Sequence, residues 1–304
     1  MDLVNHLPDR LLFAVPKKGR LYETCCDLLK GVDIEFRRSN RLDIALSTNM
    51  PVALIFLPAV DIPTFVGEGK CDLGITGLDQ IMEADMLDSV LDLLDLQFGK
   101  CKLQVQVPQN GPYEKAENLL GKKIVTSFTK LSADYFRELE SAAAEKLDPT
   151  TIKYVGGSVE ASVALGVGDA IVDLVESGET MKAAGLKAIA TVLTTSARLI
   201  SSKQPRFPNL VETIFQRFEG IMAAKRYVLC NYNAPRCIVP AVLKITPGRR
   251  SATISSLDKQ PGDTEEWVAI SSMVEKSRIG HTMDELKRAG ASDILVFEIN
   301  NCRV

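Results

Sequence analysis

A chain of 304 residues with a formal net charge of −3, 46% hydrophobic and 25% charged residues has the make-up of an ordinary soluble globular protein. Its length accommodates two or three compact domains of roughly 100–200 residues each, and its weak negative charge supplies no general attraction to nucleic acid or to acidic membranes. No apolar run approaches the roughly 20 residues of a membrane span, and the opening MDLVNHLPDR lacks the basic-then-apolar order of a signal peptide, so a cytoplasmic protein is expected.

In chain order, Leu11 to Val15 (LLFAV) reads as an apolar strand stopped by Pro16 and followed by KKGR. LYETCCDLLKG is an amphipathic helix closing at Gly31. The alternating LDIALS and the apolar VALIFLP after Pro51 are two strands that can pair. Asp61 is placed as N-cap of the next helix, with Pro63 in its first turn. CDLGITGLDQI is a strand closing on Gly77 and turning into a helix. A second α/β unit opens with LQVQVP near Leu103 and continues through the strand IVTSF. Next come a helix from Ser132 to Lys146 and a strand from Thr151 to Val155. One long strand, AIATVLTTSARLI, then crosses back towards the first unit. Strands alternating with helices indicate an α/β protein, here with two lobes and a cleft, although one continuous sheet also fits.

After the polar SSKQPRFPN, a helix from Leu210 to Lys225 leads to a strand at Tyr227 to Tyr232. A helix at Ile238 to Ile245, strands at Ala252 to Leu257 and Trp267 to Val274, a helix at Met283 to Ala289 and a strand at Asp293 to Ile299 complete it. That β-α-β-β-α-β order is the ferredoxin-like unit.

The stretch with most chemistry runs from Glu160 to Leu186. The apolar run Ala170 to Val175 carries one acid, Asp173, and ends in Glu176-Ser177-Gly178-Glu179-Thr180 before a helix-forming segment. Such a strand–turn–helix can hold a phosphate on free N–H groups. Asp173 inside an apolar strand is costly unless paired, hydrogen-bonded or bound to a cation. It therefore either caps a neighbouring loop or binds Mg²⁺ or a sugar hydroxyl. Glu176 and Glu179 are wrong for direct anion contact and are expected to point away from the phosphate. Ligands of such sheets sit at strand carboxyl ends, which groups Lys17 to Arg20, Thr76 to Asp79 and Ser177 to Thr180. Lys17, Lys18 and Arg20 form either a solvated surface or a cationic cleft mouth. Arg41 has the same two readings, and Asp72 is either a strand-edge residue or a ligand contact. Gly77 permits close backbone approach.

The seven cysteines (Cys25, Cys26, Cys71, Cys101, Cys230, Cys237 and Cys302) show no metal-ligand spacing and suit a reducing compartment. With only His6 and His281 present, neither in a supporting motif, a His-dependent nucleophile system carries little weight. On these residues a two-lobed solute-binding or sensor protein competes with an enzyme, and fold alone does not separate them.

Taken together, Glu160, Gly166, Gly168, Ile171, Asp173-Leu174, Ser177-Gly178 and Thr180-Met181 resemble the signature of the ATP phosphoribosyltransferase family in its long, fungal-like form. PKKGRL, FVGEGKCDLGITG, TPGRRSATIS and the ending ASDILVFEINNCRV extend the resemblance over essentially the full length. It implies a periplasmic-binding-protein-like catalytic part, with lobe I at 1–102 plus 188–209 and lobe II at 103–187. A ferredoxin-like regulatory domain is implied at 210–304. The implied reaction joins N1 of ATP's adenine to 5-phosphoribosyl 1-pyrophosphate with Mg²⁺, releasing pyrophosphate, as the first step of histidine biosynthesis.

The resemblance carries specific residues with it. Glu160, Asp173 and the Glu176–Thr180 turn would bind the phosphoribosyl donor. Glu160 and Asp173 would face Mg²⁺. Lys17, Lys18, Gly19, Arg20, Arg41, Asp72 and Gly77 would line the ATP side. Asp173, Glu160, Lys17 and Arg20 would carry catalysis. Asn231, Thr253, Ser271 and Ser272 would hold histidine, the feedback inhibitor, with Asn231 standing where some relatives have an acid. Dimers assembling to hexamers, and no nucleic-acid or membrane partner, complete what the resemblance implies.

Overall fold

The computed structural model describes residues 7–38, 42–143, 148–259 and 265–303. The chain divides into two compact units, Met1–Val211 and Glu212–Val304. No helix among the described residues is long and apolar enough to cross a membrane.

The first unit contains two sheets. It begins with β1 (Leu11–Pro16), α1 (Tyr22–Gly31), β2 (Ile44–Leu46), β3 (Val52–Leu57), α2 (Ile62–Gly67), β4 (Leu73–Gly77), α3 (Leu78–Glu83) and β5 (Val90–Asp95). The second sheet is built from β6 (Cys101–Pro108), β7 (Lys123–Thr126), α4 (Thr129–Ala142), β8 (Thr151–Tyr154), α5 (Ala161–Ala164), β9 (Ala170–Val175), α6 (Glu179–Ala183) and β10 (Leu186–Thr195). The chain then returns to the first sheet as β11 (Ala197–Ser202). Strand orders are β2-β3-β1-β4-β11-β5 and β10-β6-β9-β7-β8.

β1 pairs in parallel with both β3 and β4, and its near-continuous apolar run suits a strand buried on both faces. β2 pairs antiparallel with β3, as the adjacency of the two runs suggests. α2 lies directly on β4. A Cβ at Gly74 would come within 2.8 Å of both Ile62 and Val66, so the strand admits the helix only with glycine there. In the second sheet Leu103, Val105 and Val107 alternate into a core shared with Leu119, Phe136 and Val172.

Several expectations change. The single strand expected over residues 188–200 is two. β10 runs antiparallel to β6 in the second sheet, whereas β11 runs antiparallel to β4 in the first. Residues 188–195 therefore belong to the second sheet, not to lobe I, and the return crossing falls at Ser196. The two crossings between the sheets bond to each other, Leu96 N–H to Ala197 O at 2.9 Å and Ala197 N–H to Phe98 O at 2.9 Å. β5, which pairs only with β11 at the sheet edge, had no sequence expectation because its VLDLLD pattern lacks clean alternation. α4 starts at Thr129 rather than Ser132. The carboxylate of Glu83, from α3, accepts from the Lys130 and Leu131 N–H groups at 3.0 and 3.1 Å, a cap that local sequence cannot show. Asp61 does occupy the N-cap of α2, but its side chain makes no capping hydrogen bond.

α7 (Pro208–Arg226) leads into the second unit, which contains β12 (Tyr227–Pro235), α8 (Val239–Ile245), β13 (Thr253–Ser256), β14 (Trp267–Glu275), α9 (Ile279–Arg288) and β15 (Ser292–Glu298). The sheet order β13-β14-β12-β15, antiparallel throughout, is the ferredoxin-like arrangement. β12 alternates strictly, burying Val228, Cys230, Tyr232 and Ala234 against Val242 and Leu286 and leaving its other face for Asn231 and Asn233. α9 begins four residues before the expected Met283, because Thr282 and Leu286, one turn apart, both lie on its buried stripe.

Candidate active site

β9 emerges from the core partway along its length. Ala170, Ile171 and Val172 are fully buried, and Asp173 is the first residue to reach the boundary. Its Oδ1 accepts from the Leu174 N–H at 2.8 Å. Burial pushes the Asp173 carboxyl above its ordinary value, and the nearby charge of Glu160 raises it further. The backbone bond opposes this without cancelling it. Glu160 sits at the N-cap of α5, so the two acids expected to act together are close enough to interact.

The turn that follows is open to solvent at Glu176, Ser177, Glu179 and Thr180. Gly178 adopts φ +79° at the N-cap of α6, a left-handed conformation that favours glycine. Ser177 Oγ accepts from the Glu179 N–H at 3.4 Å. Glu176, Ser177, Gly178 and Thr180 line a cavity of about 240 Å³ whose facing residues include Arg20 and Cys101, so Glu176, expected to point away from a phosphate here, borders the cavity.

Arg20 arrives from the turn after β1. It donates to Gly99 O at 2.9 Å and to Cys101 Sγ, and lies 3.7 Å from Asp79 Oδ1. Asp79 is fully buried. It accepts from Thr195 Oγ1 at 2.6 Å and from Gln80 Nε2 at 2.8 Å, while its own N–H donates back to Thr195 Oγ1 at 3.0 Å. A Cβ on Gly77 would collide with this carboxylate. The space expected beside Gly77 for a ligand is thus taken by Asp79. Asp79 was expected only as part of the Thr76 to Asp79 turn, and Thr195 and Cys101, which surround it and Arg20, had no sequence expectation. The available signal was an acid two residues after a strand-closing glycine, in the first turn of α3.

Lys17 pairs with Asp43 at 3.6 Å, while Lys18 and Gly19 are exposed, Gly19 with φ +86°. Arg41 lies outside the described residues. Asp72 is corrected from a ligand contact to a structural residue. It is buried to 2%, accepts from the Leu12 N–H at 2.8 Å and the Arg206 N–H at 2.7 Å, and pairs with the Arg206 guanidinium at 3.0 Å. It also precedes β4, at the end opposite the strand's carboxyl terminus.

In the second unit, Asn231, Thr253 and Ser271 line one cavity of about 350 Å³, together with Asn233, Ser255 and Asp293. Registry explains it, since Ser271 lies opposite both Asn231 and Thr253. Asn231 Oδ1 is buried without a hydrogen-bond partner among the described residues, and Asn233 donates to Asp293 at 3.0 Å. Ser272 is corrected. Adjacent strand residues face opposite ways, and Ser272 is buried with its hydroxyl donating to Thr246 O at 3.0 Å.

The comparisons with known proteins agree with this geometry. The ATP phosphoribosyltransferase family profile matches residues 58–220, and the HisG C-terminal domain profile matches residues 224–301. ATP phosphoribosyltransferases of Debaryomyces hansenii, Candida albicans and Saccharomyces cerevisiae are 76%, 72% and 64% identical to the chain, each alignment covering 100% of both sequences. Among solved structures, an ATP phosphoribosyl transferase (HisG:HisZ) complex from Thermotoga maritima aligns with TM-score 0.56 at 22% identity, over 69% of this chain and 98% of that one, a likeness of fold. Matched by the family profile over more than half its length and by full-length relatives, the chain belongs to the ATP phosphoribosyltransferase family, pentosyltransferases of histidine biosynthesis.

Proposed function

We propose that the turn at Glu176 to Thr180 holds the 5′-phosphate of 5-phosphoribosyl 1-pyrophosphate on its backbone and the Ser177 and Thr180 hydroxyls. Glu160 and Asp173 face the ribose hydroxyls and the pyrophosphate, Arg20 lies beside the leaving group, and Lys17, Lys18 and Gly19 border the ATP side. The observation that most supports this is the common cavity of Arg20 with Ser177, Gly178 and Thr180, in which the cation is oriented by a buried acid.

In the reaction, adenine N1 attacks C1′ of the ribose while the C1′–O bond to pyrophosphate breaks. The electron pair leaves with pyrophosphate, and N1-(5-phosphoribosyl)-ATP remains. Adenine N1 already carries a lone pair, so no general base is required. Positioning supplies much of the acceleration. Cationic groups stabilise the departing charge, and carboxylates stabilise a ribose centre with oxocarbenium character, as in glycoside chemistry.

Mg²⁺ fits these residues as the metal. Asp173 and Glu160 are two interacting carboxylates in a chain whose described residues offer no cluster of three or more His, Cys, Asp or Glu. That donor set suits an ion held by one or two carboxylates plus substrate phosphates. When bound, it neutralises pyrophosphate charge.

The Asn231–Thr253–Ser271 cavity is the proposed histidine site, with Asp293 supplying the negative charge that Asn231 lacks. Dimers assembling into hexamers and a cytoplasmic location complete the proposal. The catalytic lobes and regulatory domain divide near residue 210. The decisive assay combines ATP, phosphoribosyl pyrophosphate and Mg²⁺, with and without histidine, using wild type and Ser177→Ala/Thr180→Val. A new adenine chromophore with pyrophosphate release is expected, with KM for the phosphoribosyl donor raised in the variant. An unchanged KM sinks the phosphate assignment.

A further inference from the structure

We propose that the second unit carries another ligand site, for the phosphoryl group of a small metabolite, at the start of α9. A cavity of about 290 Å³ opens there, lined by Arg249, Arg278, Thr282, Gly248, Tyr227 and Met273 among others. It shares no residue with the Asn231–Thr253–Ser271 cavity, and it is independent of the catalytic assignment.

Four features converge on an anion. The ten-residue helix α9 begins at Ile279, whose own N–H is already taken by Lys276 O, so this end contributes through its dipole, which favours negative charge. Thr282, in that turn, is only 3% exposed. The residue lines the cavity, and its hydroxyl makes no hydrogen bond among the described residues while staying accessible to solvent, so it is open to a ligand there. Arg249 and Arg278 border the same space, and neither is in an ion pair among the described residues. Paired guanidinium forks match the oxygen geometry of a phosphoryl group. Gly248 adopts φ +73° and its Cβ would meet Ser251 O at 2.9 Å, so the turn that presents Arg249 depends on glycine.

Glu275 is the acid lining the cavity, but its carboxylate is already held by Arg226 at 2.6 Å. The remaining balance is cationic. The volume is at the lower end of small-molecule sites, which begin near about 300 Å³. Ile245, Met273 and Val274 add an apolar wall. A phosphorylated metabolite with a compact body fits this better than a bare ion.

Two methionines allow a test in the full-length protein. Met273 lines this cavity and Met181 lines the 176–180 turn, so methyl NMR of ¹³C-methyl-methionine-labelled protein reports on both places in one spectrum. Inorganic phosphate and adenosine monophosphate are titrated separately, against chloride at matched ionic strength. A saturable Met273 shift is expected, weakened at least about tenfold in Arg249→Ala/Arg278→Ala, as loss of charge-assisted bonds implies. The milder Thr282→Val should weaken it less. The Met181 response and turnover without added effector should remain as in wild type. A shift with both probes assigns the site to the phosphoryl group alone, and a shift with the nucleotide only adds its body. The proposal is overturned if Met273 does not respond up to about 10 mM of either probe. It also fails if the response is the same in the folded double variant.

Discussion

Arg20 and Asp79 stand 3.7 Å apart, although one follows β1 and the other opens α3. The arginine ends on Gly99 O and Cys101, at the entry to the second sheet. The buried acid is in turn held by Thr195 at the end of β10. A charge from the first sheet is therefore oriented by residues at both crossings between the sheets. Asp79→Asn should lower kcat roughly 10- to 100-fold, less than the about 100- to 1,000-fold cost of losing a group that touches the developing charge, because Asp79 acts through Arg20. Inhibition by pyrophosphate should weaken in parallel. Gly77→Ala, which forces the carboxylate aside, should show the same pattern. Steady-state kinetics with product inhibition checks both, and wild-type pyrophosphate inhibition in Asp79→Asn contradicts the assignment.

Asp173→Asn separates activity from stability. Turnover should fall at least about 100-fold, because a carboxylate at the reacting sugar is lost. The carboxyl's pKa is raised on folding by burial and then by Glu160. The folded state therefore binds this proton more tightly than the unfolded one, and ionisation destabilises the fold. That cost is absent at acidic pH, below the ordinary value of 3.8. It is complete once pH has risen through the raised folded value. Tm of Asp173→Asn should consequently match or exceed wild type at neutral pH and converge with it at low pH. A large Tm loss at neutral pH would show that the acid is structural.

Asp72 should behave in the opposite way. Removing its carboxylate strands the Leu12 and Arg206 N–H groups and an arginine beside it. Asp72→Ala should cost about 2–4 kcal/mol, the range for breaking a buried, hydrogen-bonded charge pair. KM for ATP should be unchanged in the folded fraction. Urea unfolding together with ATP kinetics decides this, and a raised KM at full stability would restore the ligand role.

Ser271 and Ser272 offer a paired test of histidine binding. Ser271→Ala and Asp293→Asn should weaken histidine inhibition several-fold without slowing the uninhibited reaction. Ser272→Ala should leave inhibition intact while lowering stability by about 1 kcal/mol, the usual worth of a buried hydrogen bond. Histidine dose–response curves distinguish them. Equal effects at both serines would mean that the cavity is not the regulatory site.

Most of the architecture was legible because it depends on local pattern. LLFAV and VALIFL are apolar long enough to be buried strands, LYETCCDLLKG has helical spacing, and the β-α-β-β-α-β order from Tyr227 onward reads as a ferredoxin-like unit. The Asp173–Thr180 segment was also visible, since an acid in an apolar strand followed by a small-residue turn is a local anomaly.

Other features depend on partners far away in sequence, and only the tertiary structure decided them. AIATVLTTSARLI looks continuous, yet pairing with β6 on one side of Ser196 and with β4 on the other splits it between two sheets. Asp72 and Asp79 both border β4, one before its start and one just past its end, and their partners lie far away in sequence. The first meets Arg206 across 134 residues and becomes structural, whereas the second meets Arg20 and Thr195 and orients a cation. Ser271 and Ser272 are chemically identical, but the two-residue period of a strand sends one to the open face and the other into the core. Residue type and spacing set which chemistry the chain carries; long-range pairing sets which of two similar acids, or two identical hydroxyls, can use it.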